Sequence, residues 1–266
     1  MKSSTFSIWK EFESDVNFLS EAQFDFDKKV SVSYDTLNYD IESDYKVLVY
    51  CGEPNCILNI DSEVISMHKK FDLILTWRDN ILESCDNAQK FLFGGPRTIL
   101  DSKLSIEKRN QISFLTSSKN FTEGHILRQN IWNFFDTHNF DGEYEIFSIK
   151  SPPQIDKEKI FNNAKFSIIV ENSRQKNYFS EKIIDCISSK TIPIYWGCEN
   201  ISEFFDIDGI LTFSTLDQLL DIIINLDSNY YEDNIKYVEK NYETSKEYWN
   251  YYSRIRNKIE ENLNGN

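Results

Sequence analysis

No apolar run in these 266 residues approaches the roughly 18 that a bilayer-spanning helix needs, and the opening MKSSTF leads straight into charged residues. The sequence therefore predicts neither a membrane span nor a signal peptide. Basic clusters are missing too: none is longer than pairs such as Lys69-Lys70 and Lys108-Arg109, and 43 acidic against 29 basic residues leave a net charge of -14. Such a field repels nucleic acid and anionic lipid, so no nucleic-acid partner is expected. The three histidines, His68, His125 and His138, have no spacing that suits a metal or a nucleophile relay. Gly-x-Ser-x-Gly and glycine-rich phosphate loops are absent. The five cysteines, Cys51, Cys56, Cys85, Cys186 and Cys198, are odd in number, and Cys51 and Cys56 have no second pair to complete a zinc site. Reduced, buried thiols are the expectation, which fits a cytosol, bacterial or viral-host.

What is present is an ordinary globular balance, 40% hydrophobic and 27% charged, with aromatics raised to 15%. Apolar β-rich runs alternate with helical patterns, the signature of an α/β protein with parallel sheets. In the first hundred residues, strands are predicted over 45–51 and 71–77, with helices over 61–70 and 79–88. The first forty residues give no clear pattern. Further on, strands are predicted over 111–116, 165–170, 191–196 and 209–213. Helices are predicted on the Leu127, Ile131, Phe134, Phe135 face and over 180–189 and 215–226, with one more from about 234 to 263. The pattern divides into two α/β domains and a last helix: 1–104, 105–240 and 241–266. A ligand is expected at the carboxyl ends of the strands.

Residues 165–200, KFSIIVENSRQKNYFSEKIIDCISSKTIPIYWGCEN, concentrate the chemistry. A buried strand ends at Glu171-Asn172, which puts both side chains at its carboxyl end. After a polar loop, Ser180 can cap a helix that begins at Glu181. Tyr178, Glu181 and Lys182 then surround a helix N-terminus, where free N–H groups and the helix dipole favour an anion. Lys182 adds a full charge for phosphate, Glu181 can accept from vicinal ribose hydroxyls, and Tyr178 can stack or donate. A nucleoside diphosphate suits that set. Taken alone, Ser-Glu-Lys reads first as the solvated first turn of an ordinary helix, because such helix starts are common.

The longer string resembles the α1,3-fucosyltransferase family, glycosyltransferase family 10. The residues that carry the resemblance are Glu171, Asn172, Tyr178, Ser180, Glu181, Lys182, Pro193, Tyr195, Trp196 and Gly197. It implies a GT-B fold: two Rossmann-like domains with a cleft between them and a C-terminal crossover helix. The donor, GDP-fucose, would be held by the C-terminal domain and the acceptor glycan would lie on the N-terminal side. Transfer would invert the anomeric centre, with no cofactor and no bound metal. By the same resemblance Tyr178, Glu181 and Lys182 contact the GDP-sugar, and Asn172 and Ser180 belong to the same donor site. Arg128, in the helix after the strand QISFLTSS, would lie near the diphosphate, where its planar fork can clamp two oxygens. Glu53, after YKVLVYCG, matches the family's base, although Pro54 stands where the family has Asn. Glu171 would steady the sugar or bond its hydroxyls.

Three other readings fit parts of the sequence. A metal-dependent transferase of the single-domain type would use an Asp-x-Asp pair, and two such triplets occur, Asp25-Phe26-Asp27 and Asp206-Ile207-Asp208. A transferase taking a different nucleotide sugar would keep the same phosphate chemistry. A non-catalytic nucleotide-sugar-binding protein would keep Glu181 and Lys182 without needing Glu53.

Overall fold

Among the described residues, two parallel sheets organise the chain. The computed structural model describes residues 29–37, 40, 42–54, 59–95, 108–138, 144–150 and 157–264. Asp25-Phe26-Asp27 lies outside the described residues, as does Cys56.

The first sheet has the order β1-β2-β3-β4, every neighbouring pair parallel. Its strands are β1 (Val30–Tyr34), β2 (Tyr45–Tyr50), β3 (Leu73–Thr76) and β4 (Ala88–Lys90). Helix α1 (Asp61–Met67) leads from β2 toward β3, and α2 (Asp79–Ser84) follows β3. Leu48, Tyr50, Val64, Phe71, Ile74, Ile81 and Cys85 form its core. The helix expected over 79–88 stops at Ser84: Cys85 is extended and buried, and Ala88 pairs with Ile74 as a fourth strand. Pairing with β3 overrides a local pattern that reads as helix.

The second sheet has the order β6-β5-β7-β8-β9, again all parallel. Its members in chain order are β5 (Arg109–Thr116), α3 (Glu123–Thr137), β6 (Glu145–Lys150), α4 (Lys157–Asn162), β7 (Ala164–Val170), α5 (Glu181–Ser188), β8 (Ile192–Trp196), β9 (Leu211–Thr212) and α6 (Leu216–Ile224). Every residue of β7 is buried, Lys165 and Ser167 included, because an inner strand of a parallel sheet is covered on both faces. Phe166, Ile168 and Val170 pack into one core, whereas Ile169 points into another with Tyr195, Ile183 and Ile187. That alternation is the period-2 geometry of a strand, and each such side chain contributes about 1.5–3 kcal/mol by leaving water. The chain steps from β5 to β6 on one side and returns to β7 on the other. The carboxyl ends of β5 and β7 thus form the switch point at which open α/β sheets bind ligands.

The chain ends in α7 (Tyr230–Asp233), α8 (Ile235–Ser245) and α9 (Tyr251–Asn264). One helix was expected from 234 to 263. A 3-10 turn at Lys246–Tyr248 and the residues Trp249 and Asn250 interrupt it. The chain divides into two compact units, one of Met1–Gly52, Ile60–Phe91 and Tyr252–Asn266, the other of Glu53–Asn59 and Leu92–Tyr251. These bounds differ from 1–104, 105–240 and 241–266: Glu53 counts with the second unit and α9 with the first. Among the described residues no helix is long and apolar enough to cross a membrane.

Candidate functional site

The second unit gathers Glu53, Arg128, Glu171, Asn172, Ser180, Glu181 and Lys182 at the carboxyl end of β7. Strand β7 stops where Glu171 and Asn172 begin, and the Glu171 N–H still donates to Trp196 O at 2.9 Å, which keeps the strand end in register with β8. Ser180 caps α5, its Oγ accepting from the Lys182 N–H at 3.3 Å. Its own N–H and hydroxyl both turn back to Glu171, at 2.9 and 2.6 Å. The loop between β7 and α5 is therefore closed at its base by one carboxylate holding one serine.

Lys182 is the charge centre. Its Nζ lies 3.5 Å from Glu171, 3.7 Å from Glu181 and 3.7 Å from Glu53, and donates to Ser180 Oγ at 2.9 Å. Burial alone would pull the lysine pKa down. Glu181, Glu171 and Glu53 together reverse that and hold the ammonium above its ordinary value. Glu171 has no exposed surface. Burial pushes its pKa up, and Lys182 and the Ser180 donors restrain the rise. Glu53 and Lys182 keep 28% and 23% of their side-chain surface exposed, so a ligand can reach both.

Asn172 joins the two ends of the cluster. Its Nδ2 donates to Glu53 at 2.7 Å, and its Oδ1 accepts from Arg128 at 2.8 Å. Arg128, buried on α3, also donates to the carbonyls of Val170 and Glu171. Its guanidinium is thus engaged with the end of β7 as well as adding charge there. Tyr178 is wholly buried in this structure.

Two glycines make this packing possible. A Cβ on Gly124 would stand 1.8 Å from the carbonyl oxygen of Glu171, and the Gly124 N–H donates to Asn172 O at 3.1 Å. A Cβ on Gly197 would stand 2.5 Å from Cγ of Glu171 and 2.3 Å from the Tyr195 hydroxyl. Thr122 caps α3 by accepting from the His125 N–H. The His125 ring is held neutral, its pKa pulled down to about 4 by burial and then by Arg128, Lys119 and Lys182. The sequence gives no sign of the role of Gly124, and His125, which has no metal or nucleophile spacing, serves here at the start of α3. The Thr-Glu-Gly-His start of α3 signals a cap, but nothing local shows that a distant strand end presses on it. Asp206-Ile207-Asp208, by contrast, is structural: Asp206 pairs with Lys240 at 2.7 Å and caps the Asp208 N–H. Among the described residues no His, Cys, Asp and Glu group is arranged to hold a metal.

Two all-parallel α/β units, one carrying a buried carboxylate and a capped helix start at its switch point, define a protein of the GT-B type. The same fold appears in a crystal structure of an α1,3-fucosyltransferase with GDP (17% identity, 75% of this chain and 71% of that one, TM-score 0.51). It also appears in TarM (12% identity, 87% and 54%, TM-score 0.53). Residues 134–261, just under half of the chain, match the C-terminal domain of glycosyltransferase family 10 (fucosyltransferase). A stretch of 70 residues is 34% identical to the α-(1,3)-fucosyltransferase FucT of Helicobacter pylori, covering 25% of this chain and 15% of that relative. The chain thus matches only a small part of that relative's length.

Proposed function

We propose that this protein is a glycosyltransferase that moves L-fucose from GDP-fucose onto a hydroxyl of a glycan acceptor, with inversion at the anomeric carbon. The observation that carries the reading is the Lys182 ammonium, which sits at the start of α5 among Glu53, Glu171 and Glu181. A diphosphate is the ligand for a cation at a helix N-terminus, and the family match and the GDP-bound structural neighbour favour guanine as the base. The donor falls to the second unit and the acceptor to the first.

In the reaction the acceptor oxygen attacks the anomeric carbon and gives its proton to Glu53. The bond from that carbon to the β-phosphate oxygen breaks, and both electrons leave on GDP. Lys182, the N–H groups at the start of α5 and the charge of Arg128 stabilise the departing diphosphate where its charge develops. Glu181 accepts from the ribose hydroxyls, and Glu171 holds Ser180 and Lys182 in place. Tyr178 reaches a ligand only if the loop between Asn172 and Ser180 shifts, and the proposal does not rest on it.

Thermal shift against GDP, UDP, CDP and ADP, with and without EDTA, tests the donor, because a ligand of the folded state raises its melting temperature. Selective stabilisation by GDP that EDTA leaves intact, followed by fucose transfer from GDP-fucose, is the expected result. Selective stabilisation by another nucleotide would remove fucose from the reading.

A further inference from the structure

Asn172 holds two groups of opposite character with one amide. A guanidinium can only donate and an ionised carboxylate can only accept, so Arg128 fixes the amide oxygen on its own side and Glu53 fixes the nitrogen on the other. The residue is 5% exposed, and its carbonyl is anchored by the Gly124 N–H, so the amide has little freedom to turn. Glu53 is therefore gripped twice, by Lys182 through one oxygen and by Asn172 through the other. The two grips differ in kind. Lys182 is shared among three carboxylates and is the cation a diphosphate would draw away. Asn172 carries no charge for a phosphate to compete for, and Arg128 holds it from behind.

We propose that Asn172 is a positioning residue for the reaction rather than a donor ligand: anchored by Arg128, it keeps the Glu53 carboxylate aimed at the acceptor hydroxyl while Lys182 turns to the diphosphate. This rests on the reading of Glu53 as the base. No other side chain of similar size offers a donor and an acceptor at that spacing. Aspartate would keep the bond to Arg128 and set a like charge against Glu53.

The test is a double-mutant cycle read by GDP release from GDP-fucose, with water in place of the acceptor hydroxyl, beside GDP affinity by calorimetry. Loss of a general base costs about 10²- to 10⁴-fold, and loss of alignment about 10²-fold. Asn172→Ala should lower kcat about 10- to 100-fold and leave GDP affinity within about threefold. In a Glu53→Gln background it should cost nothing further, because both changes disable one device. Asn172→Asp, which keeps the shape, should move the acid limb of the pH profile upward, since a neighbouring negative charge favours protonation. An equal loss from Asn172→Ala in both backgrounds, or a loss confined to GDP affinity, would overturn the positioning role and leave Glu53 as the base. Normal turnover by Glu53→Gln alone would overturn both.

Discussion

The Lys182 ammonium lies 3.5 Å from a carboxylate oxygen of Glu171, a side chain with no exposed surface. Removing one partner of a buried pair leaves the other charged and poorly solvated, at a cost of about 3–5 kcal/mol when burial is complete. Lys182 retains some exposure, so Lys182→Ala should lower stability by about 1–3 kcal/mol and abolish stabilisation by GDP. Adding Glu171→Gln should recover part of the stability and none of the GDP response. Chemical denaturation of both variants measures this. If the double variant is no more stable than Lys182→Ala, the buried carboxylate is not the source of the loss.

Substituting alanine at Gly124 or Gly197 should damage the site through packing. At Gly124 the obstacle is a backbone carbonyl 1.8 Å away, so α3 or the end of β7 must move. Overpacking of this kind costs about 1–3 kcal/mol or more. Both variants should lose GDP binding by a larger factor than their loss of stability explains, as titration calorimetry on the folded fraction would show. Full GDP affinity in Gly124→Ala would mean that the contact between α3 and Glu171 is not needed.

Asp35 gives a pH-dependent prediction in the first unit. Its carboxylate accepts from the Gly52 N–H at 2.8 Å, yet burial raises its pKa to about 6, partly offset by hydrogen bonds from Gly52 and Cys51 and by Arg78. The folded state therefore prefers the protonated acid. Its contribution is intact below about pH 4 and is lost as pH rises toward 6. Asp35→Asn does not titrate and suits the positive φ of 50° at this position. Relative to the native chain it should gain about 1–3 kcal/mol between pH 4 and 7. A constant difference across that range in thermal melts would refute it.

Asp206 separates the present reading from metal-dependent transfer. Its carboxylate is committed to Lys240 and to the Asp208 N–H at the protein surface. Asp206→Asn should leave transfer and melting temperature within experimental scatter, with or without EDTA. A loss of activity reversed by manganese would restore a metal role to this triplet.

The strands were the most legible part of the fold. Runs such as KFSIIV and TIPIYW are rich in β-branched and aromatic residues, and the sheet buries them from both sides. Lys182, Ser180 and Glu181 were also legible, because a capped helix start has a local signature. The less legible parts depend on contacts distant in sequence. Strand β4 exists because Ala88 meets Ile74, and β6 because it pairs with β5. The end of the long terminal helix at Ser245 follows from packing around Trp249, whose ring nitrogen donates to Ser188 at 2.7 Å. The engagement of Arg128 with Asn172, and the close approach of the Glu171 carbonyl to Gly124, likewise belong to the folded arrangement and leave no mark in any window of sequence.

Helix α9 has a consequence for synthesis. It counts with the first unit, where Asn262 bonds to Gln89 at 2.7 Å and Arg254 lies over the Phe91 ring. During translation β1 to β4 leave the ribosome first and α9 follows only after the whole second unit has emerged. The first unit must therefore persist as an unfinished nascent intermediate while its neighbour can already fold, and a translational stall before Ile255 and Ile259 would leave it open to chaperones and proteases.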